Sequence, residues 1–244
     1  MSAFGRFFGI GVGPGPAGLI PVAAVTALRQ ADIIYLPRAR TSEMSVARQC
    51  LAGIDLPEDR LREIEFNMDS DLCVLGEYYG LLARKIATDL RGGRHVAYLT
   101  LGDPMTYSTY GYLLAALRDL EPGLNQQTFP GITSFAATAS AFGWPLGEGK
   151  ERILILPCPE TMEALRVDIQ NHDIVVLMKI GKRLPAVLGL LREMGIQQHC
   201  AFAHRIGLPG EVLCADLTRL EPETSSGYLS TLLIRRNPRE KRHP

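Results

Sequence analysis

Apolar positions along the chain fall into short buried-type runs separated by amphipathic stretches. Residues 6–12 (RFFGIGV) form an aromatic and β-branched run ending in glycines, the pattern of a buried first strand. The spacing predicts a helix over 21–31 with Pro21 in its first turn, where a missing N–H costs nothing. A second strand is expected over 33–36 (IIYL), stopped by Pro37, then a short helix over 43–51 closed by Gly53 and a third strand over 64–66. A long helix over 72–91 follows, capped by Asp71 and ended by Gly92 and Gly93. The segment 95–101 (HVAYLTL) is nearly continuously apolar, as in a strand covered on both faces of a parallel sheet.

After a turn at 121–123 (EPG), strands are predicted at 126–129, 153–156 and 174–178, with helices at 133–142, 161–170 and 184–194. The period then changes. Segments 201–206, 211–217 and 228–235 read as strands with no room for helices between them, which predicts antiparallel strands completing a mixed sheet. The expected fold is α/β, with an N-terminal α/β domain over 1–121 built on a mostly parallel sheet and a C-terminal α/β domain over 122–244 with a mixed sheet.

Composition narrows the function classes. The chain of 244 residues has 26 Lys plus Arg against 26 Asp plus Glu, and the halves are equally balanced, so binding to nucleic acid through phosphate neutralisation is not expected. No apolar run has the length of a membrane helix and the N-terminus lacks a signal-peptide layout, so no membrane association and a cytoplasmic location are expected. The five cysteines are scattered without zinc-type spacing, and no bound metal is expected; buried reduced thiols are the plain reading. Serine, cysteine and histidine hydrolase motifs are absent.

Two glycine turns carry the candidate chemistry. Residues 13–18 (GPGPAG) match GxGxxG after a strand, and Arg38 and Arg40 could be cast as readers of a 2′-phosphate. That dinucleotide reading is disfavoured, because Pro14 and Pro16 have no N–H to offer a pyrophosphate and the helix begins only near Pro21. Residues 101–105 (LGDPM) follow the most buried strand, which puts Gly102 and Asp103 at the carboxyl end of a parallel strand, where open α/β sheets bind ligands. Pro104 biases Asp103 to an extended conformation, and its carboxylate can accept hydrogen bonds from a ribose, an ammonium or a substrate N–H.

The motifs GVGPG at 11–15, YLTLGDPMTYSTYGYL at 98–113, FPGITSFAATASAFGWPLGEGKERILILP at 129–157 and VVLMKIG at 175–181 together resemble the tetrapyrrole methyltransferase family, over essentially the whole chain. EFNMDSD at 65–71 adds to the likeness. The resemblance implies two α/β domains with the active site in the cleft between them, a homodimer, and S-adenosyl-L-methionine as cofactor. It further implies methyl transfer to a meso carbon, C20, of the small-molecule tetrapyrrole precorrin-2 in cobalamin biosynthesis. The metal-free macrocycle and its cobalt-containing form are both open, because the metal would arrive inside the substrate. A non-catalytic cofactor- or nucleotide-binding module is the alternative of a different class. One departure is that Pro16 follows GPG where family members commonly carry Asp.

By that resemblance the cofactor contacts are Pro14, Gly102, Asp103, Met105, Thr109, Ile132, Thr133 and Ser134, with Met178, Ala203, His204, Thr231 and Leu232 on the adenine side. Thr109 or Ser108 could instead cap the following helix. The substrate bears many carboxylates, so Arg38, Arg40, Lys182 and Arg183 are candidates to pair with it, the last two in an acid-free stretch over 174–192. Tyr107 and Tyr110 are candidates to stack on the ring or donate to it. No catalytic residue is assigned outright; Asp103 and His204 are the candidates, besides water, to take the proton that C20 loses. Asp103→Ala is expected to lower cofactor affinity and leave the fold intact.

Overall fold

A computed structural model describes residues 4–39, 44–66, 71–220 and 227–238. The chain divides into two compact units, Met1–Thr133 and Ser134–Pro244.

In the first unit the elements run β1 (Phe7–Gly11), α1 (Val22–Gln30), β2 (Ile33–Arg38), α2 (Val46–Cys50), β3 (Leu61–Glu65), α3 (Leu72–Arg91), β4 (Val96–Thr100), α4 (Tyr110–Leu120) and β5 (Gln126–Phe129). The sheet order is β3-β2-β4-β1-β5, with every pairing parallel. β1 and β4 lie inside it and are buried along their whole length. Side chains alternate across a strand, and each face here needs an apolar cover. Phe7, Val96 and Tyr98 pack with α3 and α4, while Phe8, Ile10, Ala97 and Leu99 pack with α1 and α2. This two-sided burial is why 95–101 reads as an unbroken apolar run.

α3 occupies the predicted span. Asp71 caps it by accepting from the Cys73 N–H at 2.8 Å, and Leu75, Tyr79, Leu82, Ala83, Ile86 and Leu90 put one face into the core. Gly76 and Gly80 lie within this helix with open space where a Cβ would stand. Gly76→Ala is therefore expected to raise stability by about 0.5–1 kcal/mol, read as a higher urea midpoint, because glycine costs backbone entropy in a helix interior.

The second unit runs α5 (Ser134–Ala141), β6 (Ile153–Pro157), α6 (Met162–Asn171), β7 (Ile174–Met178), α7 (Leu184–Glu193), β8 (Cys200–His204), β9 (Val212–Cys214) and β10 (Ser230–Arg235). Its order is β6-β7-β10-β8-β9; β6 and β7 are parallel and the other pairings antiparallel. α6 and α7 cover the face bearing Val175, Leu177, Phe202, Leu232 and Ile234, and α5 covers Val176, Ala201 and Leu233 on the other.

Two expectations are corrected here. The division between units falls at 133/134, not 121/122, because β5 pairs with β1 from Phe7↔Gln126 to Ile10↔Phe129 and so belongs to the first sheet. Pro37 does not stop β2, which runs to Arg38 against β3. β4 pairs only with Ile33, Ile34 and Tyr35, so a missing N–H at position 37 breaks no bond on that side.

Candidate active site

The first unit gathers its loops at the carboxyl ends of β1, β4 and β5. The turn after β1 and the turn after β4 are tied by a two-bond bridge, with Gly13 N–H donating to the Gly102 carbonyl at 3.3 Å and Gly102 N–H to the Gly13 carbonyl at 2.7 Å. Gly13 and Gly102 hold φ values of +81° and +73°, which non-glycine residues rarely adopt. The turn after β5 closes onto both. A Cβ on Gly131 would stand 2.0 Å from the Gly102 carbonyl oxygen and 2.8 Å from the Gly11 Cα, so three main chains meet where only glycine fits.

Asp103 fastens this junction. Its Oδ1 accepts from the Met105 N–H and the Thr106 hydroxyl, both at 2.9 Å, and its Oδ2 accepts from the Gly131 N–H at 3.0 Å. The carboxylate thus binds its own loop and the turn after β5, which alters the expectation that its replacement leaves the fold intact. Around the junction, Met105, Tyr107 and Ile132 are 66%, 43% and 36% exposed. Large apolar side chains left open on loops beside a sheet's carboxyl edge suit a ligand-facing surface. Tyr107 also holds φ +50°, a sparsely populated conformation for a side chain of that size. Pro14 is buried in the turn after β1, and α1 begins only at Val22, so no helix N-terminus faces this glycine turn.

Ser108 is the cap of α4, accepting from the Tyr110 N–H at 3.1 Å, and Thr109 makes no capping bond. Tyr110 is corrected from substrate contact to core residue. Its ring stacks on Phe7 at 6.2 Å, fills the space a side chain at Gly9 would need, and its hydroxyl sits 2.6 Å from Thr128 Oγ1. Arg38 forms an ion pair with Glu63 at 3.5 Å, and Arg40 lies outside the described residues.

In the second unit, the ends of β7 and β8 and the start of β10 share one sheet edge, because β10 runs antiparallel to both neighbours. Three non-glycine residues there hold left-handed φ: Lys179 (+51°), Arg205 (+49°) and Leu229 (+50°). Each such conformation costs on the order of 1–2 kcal/mol and persists only where neighbours enforce it. Here Arg205 N–H donates to the Leu229 carbonyl at 2.9 Å, and Gly181 N–H to the Gly227 carbonyl at 3.1 Å. Along this edge Ser230 pairs with His204 and Thr231 with Ala203, while Ser134 at the start of α5 hydrogen-bonds Thr231 Oγ1 at 2.8 Å. Ala203, His204, Thr231, Ser134 and Met178 therefore cluster on one side of this unit. Leu232 does not join them; its side chain is buried among Leu177, Phe202 and Ile234.

The acid-free stretch is only partly gathered. Lys182 is exposed and Arg183 partners the Cys158 thiol in the connection between β7 and α7, whereas Arg192 sits in the last turn of α7, suited to that helix end.

His204 Nδ1 lies 3.2 Å from Ser230 Oγ. Desolvation lowers its pKa below the ordinary 6.5, and the charge of Arg205 acts the same way against a hydrogen bond to the Tyr228 backbone. A lowered folded-state pKa means that the unfolded chain takes up the proton first, so His204 costs stability as pH falls below about 6.5 and costs nothing above it. His204→Gln is expected to shrink the gap between urea midpoints measured at about pH 7.5 and about pH 5.5.

Neither the close glycine contacts nor the left-handed residues were identified from sequence. The Pro130-Gly131 turn after a strand was a usable signal for the first, but Lys179, Arg205 and Leu229 are residue types that give none.

Comparison with known proteins places this architecture. The chain is 28% identical to cobalt-precorrin-2 C(20)-methyltransferase of Salmonella typhimurium over 94% of this chain and 96% of that protein. It is 29% identical to precorrin-2 C(20)-methyltransferase of a Sinorhizobium species, over 94% and 95%. Among solved structures, a cobalamin-synthesis-related protein from Corynebacterium diphtheriae superposes with a TM-score of 0.72 at 20% identity, covering 96% of this chain and 99% of that one. A cobalt-precorrin-4 methyltransferase gives 0.68 at 17% identity, with 96% of each chain covered. Residues 6–220, from the first strand to beyond β9, match the family described as tetrapyrrole (corrin/porphyrin) methylases, and the chain belongs to that family.

Proposed function

We propose that this chain is an S-adenosyl-L-methionine-dependent C-methyltransferase that methylates C20 of precorrin-2, giving precorrin-3A, in cobalamin biosynthesis. The observation that carries the reading is the glycine junction at Gly11, Gly102 and Gly131, locked by Asp103, in a chain matched over 94% of its length by relatives named as C20-methyltransferases. When bound, S-adenosyl-L-methionine supplies a methyl on a sulfonium, a donor that already contains its leaving group. The protein's part is to hold, align and keep water away.

The junction suits that part, since backbone stripped of Cβ atoms lets a ligand approach the main chain closely. In this reading Pro14, Gly102, Asp103, Met105, Thr109, Ile132 and Thr133 hold the methionine portion, and Ser134, Met178, Ala203, His204 and Thr231 the adenosine portion. Tyr107 offers an exposed ring to the macrocycle, and Arg38, Arg40, Lys182 and Arg183 the charges for its carboxylates. His204 is the better proton acceptor of the two candidates, because three protein donors already occupy the oxygens of Asp103.

A cobalt-loaded macrocycle is a second reading, favoured by the name of the Salmonella relative. Anaerobic turnover with metal-free and cobalt-loaded substrate separates the two, the preferred form being the faster. Calorimetric titration with S-adenosylhomocysteine and with NADPH tests the cofactor class, and tighter binding of NADPH would exclude a methyltransferase. A cytoplasmic homodimer belongs to the same reading.

A further inference from the structure

The left-handed residues of the second unit accompany an offset between β7 and β10. The ladder between these strands runs from Arg235↔Ile174 to Leu232↔Leu177 and stops there. The two chains meet again where Gly181 N–H donates to the Gly227 carbonyl at 3.1 Å. Between these meeting points Met178, Lys179 and Ile180 stand against Tyr228, Leu229, Ser230 and Thr231, three residues against four. One residue more on a strand than on its partner is a β-bulge, which bends the strand and re-aims the side chains beside it.

The offset is held from both sides. A Cβ on Gly227 would stand 2.0 Å from the Gly181 carbonyl oxygen and 2.8 Å from the Gly181 carbonyl carbon and nitrogen. Gly227 does not hold a left-handed φ, so close approach rather than a turn requires glycine there. On the other side of β10, Arg205 N–H donates to the Leu229 carbonyl at 2.9 Å. Leu229 is the left-handed residue of the bulge, at φ +50°, a place that glycine usually takes. Strain of this kind persists where neighbours over-determine it, and it gathers at functional positions. All four non-glycine residues of positive φ among the described residues, Tyr107, Lys179, Arg205 and Leu229, lie on the candidate-site loops.

The offset begins at the pair the ladder would have formed next, Met178 with Thr231. Alternation puts both on the face of Val176 and Leu233, where Met178 packs against the cluster under α5 and the Thr231 hydroxyl lies 2.8 Å from Ser134 Oγ. Both belong to the adenosine portion under the methyltransferase reading, on which this inference rests. We infer that the bulge is the specificity-determining device for the nucleoside end of the methyl donor, with Gly227 and Leu229 as positioning residues that fix Met178 and Thr231 against it.

The full-length protein is titrated with S-adenosylhomocysteine and with S-inosylhomocysteine, which differ only at C6 of the purine and in the N1 proton that follows from it. The parent is expected to prefer the adenosyl compound at least about tenfold. Gly227→Ala is expected to fold, because Gly181 and Gly227 lie beyond the last ladder pair, and to prefer it less than about threefold. A general loss of structure weakens both compounds alike, so the ratio separates positioning from stability. Leu229→Gly and Leu229→Val decide the matter where Gly227→Ala is too unstable to titrate. Glycine accepts the left-handed conformation and a β-branched residue resists it, so the glycine variant is expected to keep more of the preference. A contact made by the Leu229 side chain would give the reverse order. A parent that binds neither compound would overturn the methyltransferase reading and this inference with it. Equal binding of the two compounds by the parent, the parent's preference in a folded Gly227→Ala protein, or a stronger preference in Leu229→Val than in Leu229→Gly would each overturn the inference alone.

Discussion

Gly131→Ala is expected to leave a folded protein that has lost about 2–4 kcal/mol of stability and binds S-adenosylhomocysteine at least about a hundredfold more weakly. A methyl at this position would lie 2.0 Å from the Gly102 carbonyl oxygen and 2.8 Å from the Gly11 Cα. Both obstacles are main-chain atoms at the ends of β4 and β1, the fully buried strands of the first sheet, so neither can swing aside as a side-chain tip could. The turn after β5 must move instead, and that breaks the 3.0 Å bond from Gly131 N–H to Asp103. Urea denaturation reads the first effect and calorimetry the second. Gly123→Ala is the control: a Cβ there meets nothing within 4 Å, and it is expected to stay within about 0.5 kcal/mol of the parent with unchanged binding. Normal cofactor binding by Gly131→Ala would remove the glycine junction from the site.

Asp103→Ala is expected to cost about 1–3 kcal/mol and to weaken S-adenosylhomocysteine binding at least about tenfold. The substitution strands three donors, the Met105 N–H, the Thr106 hydroxyl and the Gly131 N–H, in a half-buried junction that water can only partly supply. Asp103→Asn keeps one carbonyl oxygen but turns an NH₂ toward either Gly131 or Thr106, so it is expected to fall between the parent and the alanine variant on both scales. Thr106→Val removes a single donor and is expected to show the smallest loss. Affinity that falls in step with stability across this series marks a residue that acts by holding loops together. Affinity that falls further than the urea midpoint accounts for marks the cofactor contact that Asp103 makes in addition.

Elements whose burial is decided locally were legible in the sequence. α3 announces itself through Asp71 and a regular apolar face, and β4 through an unbroken run that only a strand covered on both sides needs. The change of period after residue 200 correctly indicated antiparallel strands, and the α/β architecture followed. Pairing partners distant in the chain were not legible. Nothing near 126–129 says that β5 crosses to β1, and nothing near 230–235 says that β10 inserts between β7 and β8.

The candidate site divides the same way. Gly102 and Asp103 are legible in sequence as candidates because a turn after the most buried strand has a defined place in an α/β sheet. The three-glycine contact joins residues 11, 102 and 131, and only the sheet order brings them together. Tyr110 is not separable in sequence, because an aromatic residue in a loop-to-helix segment looks the same whether it faces ligand or core. The decision is made by Gly9, across the sheet, which leaves room for its ring. The equal count of acids and bases argues against a polyanion surface but says nothing of local charge: Lys182 and Arg183 share a connection, while Arg38 is matched by Glu63.

The most direct test of the central claim is incubation of the purified protein with precorrin-2, metal-free or cobalt-loaded, and S-adenosyl-L-methionine carrying a ¹³C methyl, followed by mass spectrometry and carbon NMR of the product. A single labelled methyl on C20 is the predicted result. A macrocycle that gains no methyl in either form, or gains it at another ring carbon, would contradict the account.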